Sequence, residues 1–268
     1  MLDILIISKI LVSIFFVVGL SFVTEHVSPR VAGIFAGYPL GAAIALFFIG
    51  IENGKEFAAQ GAIYTLGGLS ASLIFVYVYY KVSSEVSRGK VFFPALFSTI
   101  AFLVAAKLVS LSNLTLLSGF SLTFGCLLFF SLHFRKIPNV LVVKKVHLTP
   151  FVLIVRSLGA ASIILFITGI AKTVGPNWSG ILSAFPITLF PLLLIIHLTY
   201  GRDQVHTIIR NFPLGLGSLV IYVVSVNILY PICGVGTGTV LSFIIATLYL
   251  MVLSFFSNEI RKRKSVLR

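Results

Sequence analysis

Two stretches of this chain, 147 positions apart, align without a gap. Residues 29–56 read PRVAGIFAGYPLGAAIALFFIGIENGKE, and residues 176–203 read PNWSGILSAFPITLFPLLLIIHLTYGRD. Proline, glycine and charged residues match in this alignment as well as aliphatic ones: Pro29 with Pro176, Gly33 with Gly180, Pro39 with Pro186, Gly54 with Gly201, Lys55 with Arg202 and Glu56 with Asp203. Apolar segments match by chance at Leu and Ile, but rarely at these residue types. The pattern therefore predicts an internal duplication.

The composition around these stretches is that of a membrane protein. Of the 268 residues, 58% are hydrophobic and only 10% are charged, and the mean hydropathy is +1.11. A soluble domain is about half apolar and about a quarter charged. Apolar runs recur along the chain at lengths near the roughly 20 residues that a bilayer-spanning helix needs. These numbers exclude a soluble globular protein and predict an all-α integral membrane protein with many crossings.

The apolar stretches, bounded by charges or turn residues, predict nine transmembrane helices at about 3–24, 31–51, 57–80, 91–110, 114–133, 150–171, 178–199, 205–229 and 232–256. An odd number of crossings puts the two termini on opposite sides. The C-terminal tail, residues 257–268, is strongly basic. Since basic segments stay in the cytoplasm, we expect the C-terminus there and the N-terminus outside.

The helices divide into two groups of four with one between them. The predicted layout is a first repeat over 1–110, a linker helix over 111–134, a basic cytoplasmic loop over 135–149, a second repeat over 150–256, and the tail. Because four is even, the unpaired fifth helix turns the second copy upside down. Such 4+1+4 inverted repeats are a plan of secondary transporters, in which the site lies near the midplane, often at interrupted helices.

The second repeat carries a further pattern over residues 178–224, namely a G-x-x-x-x-FP core that begins at Gly180, a histidine near the helix end, and a short polar loop. This stretch resembles the small four-helix GlpM-like membrane proteins. In the first repeat Tyr38 takes the place of the phenylalanine and Gly50 takes the place of His197. The resemblance implies a bacterial inner-membrane location and a fused tandem repeat, and it implies no defined substrate.

Several classes of function are excluded or disfavoured. Seven acidic residues and two cysteines, Cys126 and Cys233, leave no disulfide framework and no clustered cysteine metal site. No nucleophile motif or H-E-x-x-H supports catalysis, so we expect neither an enzyme nor a cofactor. The net charge is +13, and the basic residues lie in short segments between apolar runs. This distribution favours a role in membrane orientation over the binding of nucleic acid. The expected partners are the bilayer and a small anionic solute or lipid, and a homo-oligomer is left open.

The leading candidate site residues are Lys9 and Arg156, which the same offset of 147 brings into register. Each stands about seven positions into the first helix of its repeat. A charge at this depth costs a few kcal/mol unless it pairs or reaches water. One interpretation is that both side chains snorkel to the interface. The other is that both bind an anion, such as a phosphate, a carboxylate or a lipid headgroup, because the sequence offers no obvious intramembrane carboxylate.

Prolines provide a second set of candidates. Pro39 and Pro186 fall inside predicted spans, where a proline removes a backbone hydrogen bond. They produce either simple kinks or unwound segments that present backbone groups to a ligand. Arg30, at the predicted inner mouth, would attract anions. His197 lies near a helix end, where it has either a structural or a proton-linked role.

Small residues at four-residue spacing predict close helix packing, at Gly33, Gly37, Gly41, Gly180 and Ala184. Taken together, the sequence predicts a transporter or channel-like permease for a small anionic or amphipathic solute. Two alternatives stay open at this point. One is a lipid flippase or lipid-phosphate-handling protein, and the other is a non-transporting assembly or regulatory factor.

Overall fold

The computed structural model describes residues 2–26, 29–86, 90–138 and 150–266, and its fold is all helical over these ranges. The helices in the described part of the chain are α1 (Leu2–His26), α2 (Pro29–Ala36), α3 (Leu40–Asn53), α4 (Lys55–Glu85), α5 (Phe92–Ser110), α6 (Leu116–Phe134), α7 (Pro150–Ser183), α8 (Leu189–Tyr200) and α9 (Arg202–Val266). Non-helical backbone at Gly175 interrupts α7, and the same conformation at Gly234 interrupts α9.

Six helical stretches are long and apolar enough to cross a membrane. They are Val31–Asn53, Lys55–Glu85, Phe92–Ser110, Leu116–Phe134, Leu153–Ser183 and Arg202–Leu253. The all-helical class predicted from the sequence is thereby confirmed, and the helices are compatible with a multi-pass membrane protein. The count of nine crossings and the 4+1+4 layout stay predictions. Residues 139–149 of the predicted basic loop and the side chains of the predicted tail lie outside the described residues.

The second and seventh predicted spans are each broken in the middle. The first break lies between Ala36 and Leu40, and the second lies between Ser183 and Leu189. Pro39 and Pro186 stand in these breaks, where their missing N–H groups leave the helical ladder incomplete. The backbone is therefore unwound at both prolines, and the binding of a ligand by these segments stays a prediction.

The two breaks have the same backbone hydrogen bonds. In the first break the donor and acceptor pairs are Gly37 N with Ile34 O, Tyr38 N with Phe35 O, Leu40 N with Tyr38 O, and Ala43 N with Pro39 O. In the second they are Ala184 N with Ile181 O, Phe185 N with Leu182 O, Ile187 N with Phe185 O, and Phe190 N with Pro186 O. All four bonds recur at the offset of 147 that aligns the sequences.

Two glycines with positive φ make the turns that follow the broken helices. Gly54, between α3 and α4, has φ 99°, and Gly201, between α8 and α9, has φ 91°. This region of backbone conformation favours glycine because a Cβ would clash there. The two positions are again 147 apart, so the matched glycines of the alignment make matched turns.

Two contacts define the ends of the helix bundle. Lys55 Nζ donates a hydrogen bond to the carbonyl of Pro231 at 2.7 Å, and we call this end, which also holds Gly234, the Gly54 end. Arg202 Nη1 donates to the carbonyl of Ser84 at 2.8 Å, and we call this end the Gly201 end. The uninterrupted helix α4 connects the two ends. It packs against α5, α6, α7 and α9, so it lies at the centre of the bundle.

Candidate functional site between the two broken helices

The two halves of the chain approach each other through glycines that make reciprocal contacts. A Cβ built on Gly33 would lie 2.5 Å from the carbonyl oxygen of Ile208, and one built on Gly180 would overlap the carbonyl oxygen of Gly61. Adding 147 converts Gly33 to Gly180 and Gly61 to Ile208. The relation repeats about two turns further along α4 and α9, where Gly68 meets Ile181 and Gly215 meets Ile34. Reciprocal contacts of this kind are what a two-fold axis between matched units produces.

A small cavity lies where the two broken helices meet. Its volume is about 20 Å³, enough for a water molecule. Both breaks contribute to its wall, together with α4 and α9: the lining residues are Ala36, Tyr38, Gly41, Ala42, Ser72, Ala184, Phe185, Pro186, Ile187, Thr188, Phe212, Leu216 and Leu219. In this conformation the cavity is too small for an organic solute.

Hydroxyl groups bind the carbonyls near these breaks. Thr65 Oγ1 donates to the carbonyl of Gly180 at 2.9 Å, and Ser72 Oγ donates to that of Ala184. On the other side, Thr188 Oγ1 donates to the carbonyl of Ala36 at 3.5 Å. Non-helical backbone at membrane depth is tolerated only when other groups satisfy it. Each half of the chain thus supplies hydroxyls to the broken helix of the other.

Lys9 is buried and forms an ion pair. Its Nζ lies 2.6 Å from Oε1 of Glu52, and the two side chains are 5% and 22% exposed. The ring of Phe48 also faces the ammonium group, 6.0 Å from its centroid. The expectation that no carboxylate neutralises this lysine is wrong, because Glu52, at the end of α3, reaches it. Glu52 directly follows the predicted span 31–51, a position at which a charge usually belongs to a loop.

Arg156 is buried, and no ion-pair partner stands beside it in the described part of the chain. The residue is 1% exposed, and its Nε and Nη1 atoms make no hydrogen bond within the described ranges. Both side chains are thus packed within the helix bundle, and their position relative to a membrane interface stays a prediction. A buried cation without a counter-charge is strongly destabilising, which indicates that Arg156 is suited to hold an anion.

The remaining predicted site residues are spread over the bundle. Pro186 lines the cavity and Pro39 is buried in the adjacent break, whereas the side chain of Arg30 lies outside the described residues. His197 is fully buried near the Gly201 end, and its Nδ1 lies 3.3 Å from the hydroxyl of Tyr79. The predicted packing residue Gly41 would bring a Cβ within 3.0 Å of Ile187 Cβ.

Two further polar residues of α4 contact His206, which also lies toward the Gly201 end, and they were not identified from the sequence. Ser83 Oγ forms a hydrogen bond with Nε2 of His206 at 2.9 Å, and the ring of Tyr80 packs against the ring of His206 at 4.8 Å. With Tyr79, these residues occur within two turns of α4. Their spacing could have been read as one polar face, but the partners on α8 and α9 follow only from the fold.

Comparison with known proteins gave no match to any family model. No curated protein and no solved structure matches the chain either. The resemblance to GlpM-like proteins therefore stays a prediction.

Proposed function

We propose that this protein is a permease for a small anionic solute in a bacterial cytoplasmic membrane, with its transport site between two inverted repeats. The observation that carries the proposal is the meeting of the two matched helix breaks at one central cavity. Interrupted helices that face each other at mid-depth are a recurring site plan of secondary transporters. The small cavity corresponds to a closed conformation, and rocking of one repeat against the other would open it to each side in turn.

The inverted relation of the repeats is supported by the contacts between them. The breaks at Pro39 and Pro186 have the same four backbone hydrogen bonds, and the glycine contacts between the halves are reciprocal. The matched turns at Gly54 and Gly201 also lie at opposite ends of α4, which an inverted second copy predicts and two copies in the same orientation would not give. Helix α6 is uninterrupted and would invert the second copy. It lies at the edge of the bundle, because only 17% of its most apolar stretch is buried.

The charge of the solute is inferred from the difference between Lys9 and Arg156. Lys9 has Glu52 as an internal counter-ion, whereas Arg156 has unbonded nitrogen atoms in a buried environment. A guanidinium group presents N–H donors in a planar fork that matches carboxylate and phosphate oxygens. One turn away, Gly159 packs against Pro191 at the start of α8, shortly after the second break. Arg156 thus stands on the helix that borders this break.

The role of Arg156 is tested by flux of labelled inorganic phosphate and of succinate into proteoliposomes. We expect Arg156→Gln to lower the flux of the transported anion at least about tenfold, the change that roughly 1.4 kcal/mol of lost stabilisation gives. Lys172→Gln removes an exposed cation and is the matched control, for which we expect wild-type flux. Equal flux in wild type and Arg156→Gln would exclude this site. Flip of a labelled anionic phospholipid without flux of either solute would indicate lipid handling.

The proposed orientation is tested with a native cysteine. Cys233 is exposed at the Gly54 end, which the orientation with an external N-terminus places outside, whereas Cys126 is partly buried on α6. A membrane-impermeant maleimide added to intact cells should therefore label wild type and Cys126→Ser, but not Cys233→Ser. Labelling of Cys233 only in inside-out vesicles would reverse the orientation.

A further inference from the structure

Aromatic side chains flank the central cavity on both sides, and the two clusters occupy matched positions. Toward the Gly54 end, the ring of Phe243 lies 6.0 Å from that of Tyr38 and 4.9 Å from that of Tyr222. Toward the Gly201 end, the rings of Phe185 and Phe75 lie 5.6 Å apart. The offset of 147 relates Tyr38 to Phe185 and Phe75 to Tyr222. Matched positions thus carry a hydroxyl on one side of the cavity and none on the other.

The hydroxyls on the Gly54 side form a column along α9. Tyr38, which lines the cavity, forms a hydrogen bond with Thr247 at 2.7 Å, and Tyr230 forms one with Thr239 at 2.7 Å. The rings of Tyr38 and Tyr222 both pack against Phe243, and the Tyr222 hydroxyl faces those of Tyr230 and Thr239. We call the five hydroxyl-bearing residues the hydroxyl column. It extends from the cavity to the residue before Pro231, whose carbonyl binds Lys55 at the Gly54 end.

One hydroxyl of the column makes no hydrogen bond of ordinary length. Tyr222 is fully buried, and its hydroxyl lies beyond that distance from the hydroxyls of Tyr230 and Thr239 and from every other described donor or acceptor. Leaving a buried hydroxyl unpaired is unfavourable, and a phenylalanine would fill the same space without that penalty. The hydroxyl is therefore suited to a partner that enters from outside the protein, such as a water molecule or a solute.

The aromatic cluster toward the Gly201 end consists of phenylalanines, which carry no hydroxyl group. Phe185 also packs against Phe102 at 5.1 Å, and Phe75 packs against Phe190 at 5.5 Å. We call these four residues the phenyl cluster, and Phe75 and Phe102 are fully buried. Phenyl rings offer no hydrogen-bonding group to water or to an anion. Apolar constrictions of this kind close membrane pathways by excluding water.

We infer that the hydroxyl column is the route by which the solute passes between the central cavity and the Gly54 end, and that the phenyl cluster is the barrier toward the Gly201 end. The inference rests on the proposed function and narrows the solute to a small oxyanion. Its oxygens would accept hydrogen bonds from Tyr and Thr hydroxyls, which replace the water lost on leaving solution. The bond between Tyr38 and Thr247 keeps the column closed in the present conformation.

The experiment compares two matched positions, Tyr222→Cys and Phe75→Cys, in a chain with Cys126→Ser and Cys233→Ser. The protein is placed in lipid nanodiscs, so that both ends face solution, and is treated with a small anionic methanethiosulfonate. The cysteine thiolate attacks the thiosulfonate sulfur of this reagent and forms a mixed disulfide with release of methanesulfinate, and the thiolate forms only where water reaches the thiol. We expect Tyr222→Cys to react at least roughly tenfold faster than Phe75→Cys, because only the hydroxyl column admits water and anions.

Equal rates at the two positions would overturn the inference, and so would an absence of reaction at both. If either variant aggregates on size-exclusion chromatography, the pair Tyr38→Cys and Phe185→Cys makes the same comparison at the breaks themselves. Thiol modification does not depend on transport. If Tyr222→Cys reacts faster but the protein transports neither phosphate nor succinate, the result would support the hydroxyl column as the accessible route. It would at the same time contradict the proposed permease function.

Discussion

The variant Gly215→Ala is expected to unfold at a markedly lower temperature than the wild-type protein. A Cβ at this position would overlap the carbonyl oxygen of Ile34 and would lie 3.0 Å from Cα of Gly37. Both are backbone atoms of α2 or of the break that follows it, and they cannot rotate away as a side chain does. The two helices must separate, at a cost of about 1–3 kcal/mol or more. Thermal unfolding in detergent, followed by size-exclusion chromatography, measures the loss.

Matched and neutral controls separate this effect from helix propensity. Gly68→Ala makes the matched change 147 positions earlier, against the backbone of Ile181, and we expect a loss of stability there as well. Gly125 and Gly169 have no atom within 4 Å of the added methyl group, and alanine favours the helix there. Gly125→Ala and Gly169→Ala should therefore be neutral or slightly stabilising. Equal unfolding temperatures for all four variants would contradict the close approach of the helices.

Glu52→Gln is the second change with a large expected effect. It leaves the ammonium group of Lys9 buried without a counter-charge, and breaking a buried ion pair in this way costs about 3–5 kcal/mol. Lys9→Met should cost less, because the carboxylate of Glu52 is partly exposed and retains contact with water. The unfolding free energies of both single variants and of the double variant form a cycle that measures the interaction.

The double variant decides between two explanations of the loss. We expect Lys9→Met combined with Glu52→Gln to be more stable than Glu52→Gln alone, because it removes the unpaired charge. If the double variant is as unstable as Glu52→Gln, the carboxylate acts through some contact other than Lys9. Glu56→Gln, at an exposed glutamate one turn further along, is the control and should be neutral.

The helical character and the breaks followed from local properties of the sequence. Apolar runs predicted the helices, and Pro39 and Pro186 marked the two places where the ladder fails. Both depend on residues close together in the chain. The offset between the two proline stretches also matched Gly54 with Gly201, and in the structure both glycines make turns.

The pairing of side chains could not be predicted in the same way. Glu52 resembled an ordinary loop charge because its distance from Lys9 depends on how α3 packs against α1. The replacement of Phe185 by Tyr38 was visible in the alignment. However, its connection with Tyr222 and Thr247 requires the packing of α9. Contacts between distant segments depend on tertiary structure. The residue pattern along a single helix does not predict them.

The exchange of hydroxyl groups across the breaks makes the two halves mutually dependent. Helix α2 has eight residues and is only about 12 Å long. This length is far less than the thickness of the hydrocarbon core, so α2 ends at mid-depth. Separated from the second half, it would lose the hydroxyl of Thr188, and α7 would lose those of Thr65 and Ser72. Fragments divided near residue 140 should therefore be degraded when produced singly and should assemble when produced together.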